Sequence, residues 1–462
     1  MTCYELTFPV LGRDELVTWG MVNRSTGQIL ATLQNVDAVH GTYYLLMHLW
    51  VGVFGDSVFS LRFPTAVAAS GAASVVSLIG RRLFGYRAGI LAGILFALVP
   101  AVSRYGQEAR SYALVIFAVS LATLLLLRVL DNDRSPWRWA AYALALAFVG
   151  LLHLIALSVV LAHLCLIAGH VRQNLDRSPW WKSALALTAV AACVTPVLLL
   201  GRSQAKRQLY WVAEPGIWDI PPLVTQVFAS ALCAGALISL AFAARSSRKG
   251  PLLLCGTWAL LPPVLVWLAS HGEVSYWRNV YILFTLPAWV LLAGAGLAAV
   301  SRSRKADAIF LVTLAVLALP DQGRVREPLA HDVGFAPVDY AAAADVIKQG
   351  YRPGDAAVYD RFRTWKLDSG VQYYLPRDLK LRDVFLARTP AAINDLYAVE
   401  CSPAARCLKG EQRIWLLTQG NEFPLSAIDP GESMALQSRY TLSKSASVTG
   451  MTVSLLVRKE KK

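Results

Sequence analysis

The stretch YALVIFAVSLATLLLLRVLDNDRSPWRWAAYALALAFVGLLHLIALSVVLAHLCLIAGHVR, residues 112–172, decides the fold. No charge interrupts it before Arg128. The short polar turn DNDRSPWR follows, and then a second apolar run reaches Arg172. An uncharged run of roughly 17–25 residues is what an α-helix needs to cross a bilayer. The second run is too long for one crossing, and Gly150–His153 splits it into spans over about 138–152 and 154–172.

The same alternation of apolar runs and polar turns extends both ways. It predicts ten spans, over about 57–79, 88–103, 108–130, 138–152, 154–172, 181–201, 221–243, 251–270, 278–300 and 305–320. Composition agrees, since 56% of the 462 residues are hydrophobic and only 16% are charged. Soluble domains carry about 25% charged residues. An ordinary soluble enzyme is therefore excluded, and so is a disordered chain, which needs low hydrophobicity and high charge.

The charge balance, 44 Lys+Arg against 30 Asp+Glu, gives +14. No basic run interleaved with aromatics appears, so nucleic acid is not an expected partner. The basic residues instead mark one side of a membrane. Arg81, Arg82 and Arg87; Arg128, Arg134 and Arg138; Arg172, Arg177 and Lys182; Arg245, Arg248 and Lys249; and Arg302, Arg304 and Lys305 fall in alternate turns. The opposite turns hold Arg104, Arg110, Arg202, Lys206, Arg207 and Arg278. The positive-inside rule places the first set in the cytoplasm and both chain ends outside it.

Three parts follow: an extracytoplasmic first loop with a juxtamembrane helix (1–56), a transmembrane helical domain (57–320) and an extracytoplasmic soluble α/β domain (321–462). In the first, MTCYELTFPV has neither the basic start nor the apolar core of a signal peptide. GTYYLLMHLWVGVFG (41–55) is apolar but too short to span, and its aromatics suit an interfacial helix. In the third, 339–350 reads as a helix and RPGD (352–355) as a turn. AAVYD (356–360), RIWLLTQ (413–419) and MTVSLLVRK (451–459) read as strands. On an oxidising side Cys401 and Cys407 are candidates for a disulfide. Cys165, Cys193, Cys233 and Cys255 lie in apolar stretches and read as buried thiols.

Ionisable residues concentrate in the outer turns. Asp14 and Glu15, then Asp37 and His40, occupy the first loop. A carboxylate there can act as a general base toward a hydroxyl, or it can simply cap a helix. SRYGQEARSYAL (103–114) sets Arg104, Glu108 and Arg110 between two spans. Charges at such a boundary are paired or used; otherwise Glu108 opens the next helix while the arginines snorkel. Arg278 in SYWRNVYILFTLPAW (275–289) is either an aromatic-belt anchor or a phosphate clamp, a task for which guanidinium is suited. Arg202, Lys206 and Arg207 form a looser basic cluster. The spans carry almost no Asp or Glu, which disfavours an ion-coupled transporter. His153 and His163, in apolar runs, read as satisfied core histidines.

Taken in order, these motifs resemble a known family. The DE pair, D-x-x-H followed by Tyr43-Tyr44, LRFPTA (61–66), GRRLFGYRAGILAG (80–93), YGQEARSYAL (105–114) and SYWRNVYILFTLPAWVLLAGAGL (275–297) are similar to bacterial GT-C glycosyltransferases. The nearest branch is the protein mannosyltransferase/aminoarabinose transferase-like group. The tail AAADVIKQGYRPGDAAVY resembles the external domain of its actinobacterial members. The resemblance implies a multi-pass plasma-membrane enzyme that takes a sugar from a polyprenyl-phosphate donor. It would pass that sugar, with inversion, to a protein, lipid or polysaccharide hydroxyl on the outer face. By the same resemblance Asp14 is the base, and Glu15, Asp37 and His40 position base and acceptor. Arg104, Glu108 and Arg110 lie near the donor, and Arg278 holds its phosphate. A divalent metal is compatible with Asp14, Glu15, Asp37 and Glu108 as oxygen ligands. Two rival readings are a lipid-linked sugar flippase and an inactive protein of the same fold.

Overall fold

The computed structural model describes residues 3–131, 135–174, 178–247, 249–331, 337–362, 364–420 and 424–460. Arg134, Arg177 and Arg248, used above for orientation, lie outside the described residues. The chain divides into two compact units. One is Met1–Leu6 with Leu33–Val325, and the other is Thr7–Thr32 with Arg326–Lys462.

The first unit is helical, and the chain is a multi-pass membrane protein. Among the described residues seven helices are long and apolar enough to cross a bilayer: Val58–Phe84, Tyr112–Asp131, Leu154–Asn174, Ser178–Leu209, Lys249–Ala269, Leu283–Val300 and Arg304–Arg324. Tyr86–Leu98 with Pro100–Gly106, and Ile217–Phe228 with Ala231–Phe242, are bent pairs that raise the number to nine. Pro136–Leu152 is a shorter apolar helix in the remaining expected place.

The bends have local causes. Pro100 lacks an N–H and pushes Val99 to ψ 122°, so the first pair turns by 63° there. In the second, Ala229 takes φ 52° and Ser230 caps the next helix through a bond from the Cys233 amide (3.1 Å), giving a 97° bend. Residues 278–282 do not join the ninth span. They form a turn and a 3₁₀ segment, Asn279–Tyr281, ahead of the helix Leu286–Val300.

At the ends where basic residues cluster, Gly85 supplies φ 96° for the tight turn between Val58–Phe84 and Tyr86–Leu98. Arg87 there grips Asp307 with two bonds of 2.7 Å, so the acid at the start of the last helix has a fixed partner. Not every thiol in the spans is interior. Cys233 and Cys255 are buried, whereas Cys165 is half-buried and Cys193 is exposed. Cys193 faces away from the helix core because its place on the helix, not its residue type, sets its direction.

The second unit is built on a five-stranded sheet. Its strands are β1 (Ala356–Tyr359), β2 (Arg382–Asp383), β5 (Arg413–Gln419), β6 (Tyr440–Val448) and β7 (Met451–Arg458), in the order β2-β1-β5-β7-β6. β1 runs parallel to β2 and β5, and β7 antiparallel to β5 and β6. The pair β3 (Leu386–Arg388) and β4 (Val399–Glu400) forms a separate ribbon. β1 and the middle of β5 are buried throughout, as expected of inner strands covered on both faces. Val358, Phe385, Ile414, Leu416, Leu436 and Leu456 fill the core beneath. Cys401 and Cys407 form a disulfide.

Residues 7–32 complete this unit. Leu16, Val17 and Met21 of the helix Arg13–Val22 are buried, and Trp19 meets the Tyr373 ring edge-on at 5.2 Å. The Tyr374 hydroxyl accepts from the Leu11 amide (2.9 Å). Arg24 donates to Thr32 (2.7 Å) and to the Asp395 carbonyl (2.8 Å).

Candidate functional site

In the membrane unit the first loop is pinned by the helix Ser178–Leu209. Gln204 accepts from the Ala38 amide and donates to the Leu33 carbonyl, both at 2.9 Å. One turn on, Gln208 donates to Asp37 at 2.8 Å. Asp37 itself adopts φ 64°, ψ 24°, a left-handed conformation that aspartate tolerates better than most residues. Its other oxygen accepts from the Tyr44 hydroxyl. Arg110 donates to that hydroxyl at 3.0 Å and lies 3.4 Å from His40 Nε2. Burial pushes the Asp37 carboxyl up, but His40, Arg110, Tyr44 and Gln208 together hold it below its usual range. Asp37 is thus a fixed anion, suited to positioning and poorly suited to taking a proton.

The second loop lies in the break between Pro100–Gly106 and Tyr112–Asp131. Glu108 does not open the following helix, and the arginines do not snorkel. Arg104 and Glu108 are 5% and 4% exposed and pair at 2.8 Å. Arg110, also buried, is turned back by a bond from its amide to the Glu108 carbonyl (2.7 Å).

Arg278 joins this group through its neighbour. Asn279 donates to the Tyr105 hydroxyl at 2.8 Å, and Arg104, Glu108 and Arg278 all lie within electrostatic reach of that phenol. The Arg278 guanidinium stacks 4.8 Å from the Trp211 ring centroid and makes no hydrogen bond or ion pair among the described residues. Asp37, His40 and Arg110 thus form one group around Tyr44, and Arg104, Glu108 and Arg278 a second around Tyr105. Arg104 pairs with Glu108, and Arg110 lies within electrostatic reach of Asp37.

Asp14 and Glu15 belong to the other unit. They open the helix Arg13–Val22, where carboxylates are favoured by the helix dipole. Glu15 is wholly buried. It accepts from the Gly12 amide (3.0 Å) and pairs with His331 Nδ1 at 2.9 Å. A Cβ at Gly12 would stand 2.4 Å from the His331 carbonyl oxygen, so only glycine permits this approach. Glu15 therefore serves as the cap its alternative reading describes, while Asp14 stays half-buried.

Sequence reasoning missed Tyr44, Gln204 and Gln208. The i, i+4 spacing of the two glutamines was a usable signal, because it puts both on one helix face. The neighbouring Arg202, Lys206 and Arg207 point outward, and Lys206 pairs with exposed Glu273 at 3.1 Å. His163 is satisfied on both ring nitrogens by Thr123 and Tyr142, each at 3.0 Å. His153, at the break after Leu152, differs: its buried Nδ1 has no hydrogen-bond partner among the described residues. No three His, Cys, Asp or Glu among the described residues converge as a metal site would require.

Residues 42–199 match the family described as dolichyl-phosphate-mannose-protein mannosyltransferase. No curated protein matches by sequence. Among solved structures, ArnT from Cupriavidus metallidurans in the apo state is similar at TM-score 0.61 and 16% identity, covering 98% of this chain and 95% of that one. The same enzyme bound to undecaprenyl phosphate gives TM-score 0.63 at 16% identity with the same coverage. The chain accordingly has the fold of the GT-C glycosyltransferases, and its residues 42–199 carry the match to the mannosyltransferase family.

Proposed function

We propose that this protein is a glycosyltransferase of the outer membrane face, moving a sugar from a polyprenyl phosphate to an acceptor hydroxyl. The observation that carries this reading is Arg278. Its guanidinium stacks on Trp211, shares the surroundings of Tyr105 with the Arg104–Glu108 pair and has no acid partner among the described residues. A guanidinium in that state matches a phosphate. Fold and family match agree, and the solved ArnT complex contains a polyprenyl phosphate of the expected class.

The chemistry is a single displacement. By the family resemblance Asp14 accepts the acceptor's proton. The freed oxygen bonds to the anomeric carbon as its bond to the phosphate oxygen breaks, inverting that centre. Charge gathers on the departing phosphate, where Arg278 stabilises it more in the transition state than in the ground state. Asp37, His40 and Arg110 hold the loop, and Glu15 fixes the turn that carries Asp14. The positive-inside pattern supports a plasma-membrane protein whose α/β domain lies outside the cytoplasm. The sugar and the acceptor, be it protein, lipid or polysaccharide, are set by experiment.

The test is sugar transfer by the purified chain in detergent. It is offered radiolabelled polyprenyl-phosphate sugars and a membrane acceptor extract. Asp14→Asn should lower turnover by about 10²- to 10⁴-fold with donor binding intact. Arg278→Ala should weaken turnover by about 10²-fold, with Arg278→Lys between the two. An unchanged rate in Asp14→Asn sinks the assignment of the base. Sugar-lipid translocation into liposomes without transfer supports the flippase instead.

A further inference from the structure

The C-terminal unit holds a second site, outside the residues used above. A cavity of about 610 Å³ opens between the helix Pro430–Arg439 and the loop that follows β4. That is the size range of small-molecule pockets, about 300–1,000 Å³. One wall is the segment Cys401–Ala405, closed by the disulfide to Cys407. The helix side carries Asp429 and Glu432, and Glu400 lines the cavity ahead of Cys401.

Glu432 is only 4% exposed, and its carboxyl has no hydrogen-bond or ion-pair partner among the described residues. Its electrostatic neighbours are Glu400, Asp429, Asp383 and a single cation, Arg361. Arg361 is already divided among Asp368 (2.9 Å), Asp383 and Glu400 (3.3 Å). One guanidinium thus answers for a local excess of acids, and the deepest of them, Glu432, has no hydrogen-bond or ion-pair partner among the described residues. Burial first, then Glu400 and Asp429, push the Glu432 carboxyl up to about 8. A largely buried carboxyl among other acids costs stability when ionised unless water or a ligand supplies its hydrogen bonds and charge.

The chemistry of the missing partner can be read from the walls. An anion is excluded by the acids. A metal ion is disfavoured, because no three acidic, histidine or cysteine side chains among the described residues are placed to bind one. Beside the acids the lining is apolar, with Pro403, Ala404, Ala405, Met434 and Ala435. Such a surface suits an alkyl stem. We propose that this cavity binds a small organic molecule carrying a protonated amine, whose ammonium group sits against Glu432 and Asp429 while its carbon chain lies along the disulfide-closed loop.

The test uses the full chain in detergent and calorimetric titration with 1,5-diaminopentane and with spermidine, against the neutral 1,5-pentanediol. Saturable binding of the amines and none of the diol is expected. Glu432→Gln should weaken it roughly thirtyfold, the loss for one buried charge partner. Ala405→Trp, which obstructs the cavity without changing charge, should weaken it as well. Sugar transfer should be unchanged in both variants. The proposal is overturned if wild-type protein fails to bind the amines at millimolar concentration, if the diol binds as well, or if Glu432→Gln binds equally. Saturable calcium binding that displaces the amines also overturns it.

Discussion

Asp37 in the membrane unit and Glu432 in the C-terminal unit are both almost fully buried, at 8% and 4% exposure. Their carboxyls nevertheless move in opposite directions, Asp37 below its usual range and Glu432 up to about 8. Burial raises both. The difference lies in the partners: Tyr44, Gln208, His40 and Arg110 surround Asp37, while Glu432 faces mainly other acids. Depth alone therefore says little about what a carboxylate does. A surrounded one is a fixed part of the scaffold, and an unpartnered one at a cavity wall is poised to receive something.

The largest effect should come from removing the Asp37 counter-charge. Arg110→Met keeps the stem and deletes the guanidinium, and should destabilise the membrane unit by about 3 kcal/mol in chemical denaturation. A loss below about 0.5 kcal/mol would break the comparison, because Asp37 would then not depend on its cation. The same variant sharpens a pH prediction. A depressed carboxyl stabilises the fold above the unfolded value, about 3.9, and that contribution is lost as pH falls through the folded value. Arg110→Met should begin acid unfolding at higher pH than the wild type.

Tyr44→Phe is the intermediate case. It removes one donor to Asp37 and the acceptor used by Arg110, and about 1–3 kcal/mol should be lost. Identical stability in the two proteins would mean that water replaces the hydroxyl.

The smallest effect has the opposite sign. The Glu432 carboxyl is raised, so its contribution is fully present below the unfolded value and is lost as pH rises through about 8. Glu432→Gln should therefore melt with the wild type at about pH 4, below the unfolded value, and roughly 4 °C above it at pH 9. A variant that melts lower at pH 9 would show that the ionised carboxylate has a partner after all.

The two regions also differ in how far sequence reasoning reached them. Seven helices stand in the places hydropathy gives them, two further spans are bent pairs, and Pro136–Leu152 is a short helix in the remaining one. The inner strands Ala356–Tyr359, Arg413–Gln419 and Met451–Arg458 coincide with the apolar runs read as strands. The ionisable residues were legible as candidates, but their roles were not. Glu15 looked like a possible catalytic partner of Asp14, yet it bonds His331, 316 positions away. Arg278 could have been a belt anchor, and its stacking on Trp211 together with its missing acid makes it a candidate clamp. Gln204 and Gln208 carry no charge and drew no notice, although they hold the loop on which Asp37 sits.

The chain's sequence by itself determined a polytopic membrane protein with an α/β domain, because lipid makes each span satisfy its own backbone and apolar length is a local property. It also determined which turns carry charge. Only the tertiary structure decided which charges meet. It surrounded Asp37, occupied Glu15, and among the described residues gave Arg278 no acid and the Glu432 carboxyl no partner. Those outcomes depend on distant segments brought together by packing, and desolvation then gives each surviving or missing contact its energy.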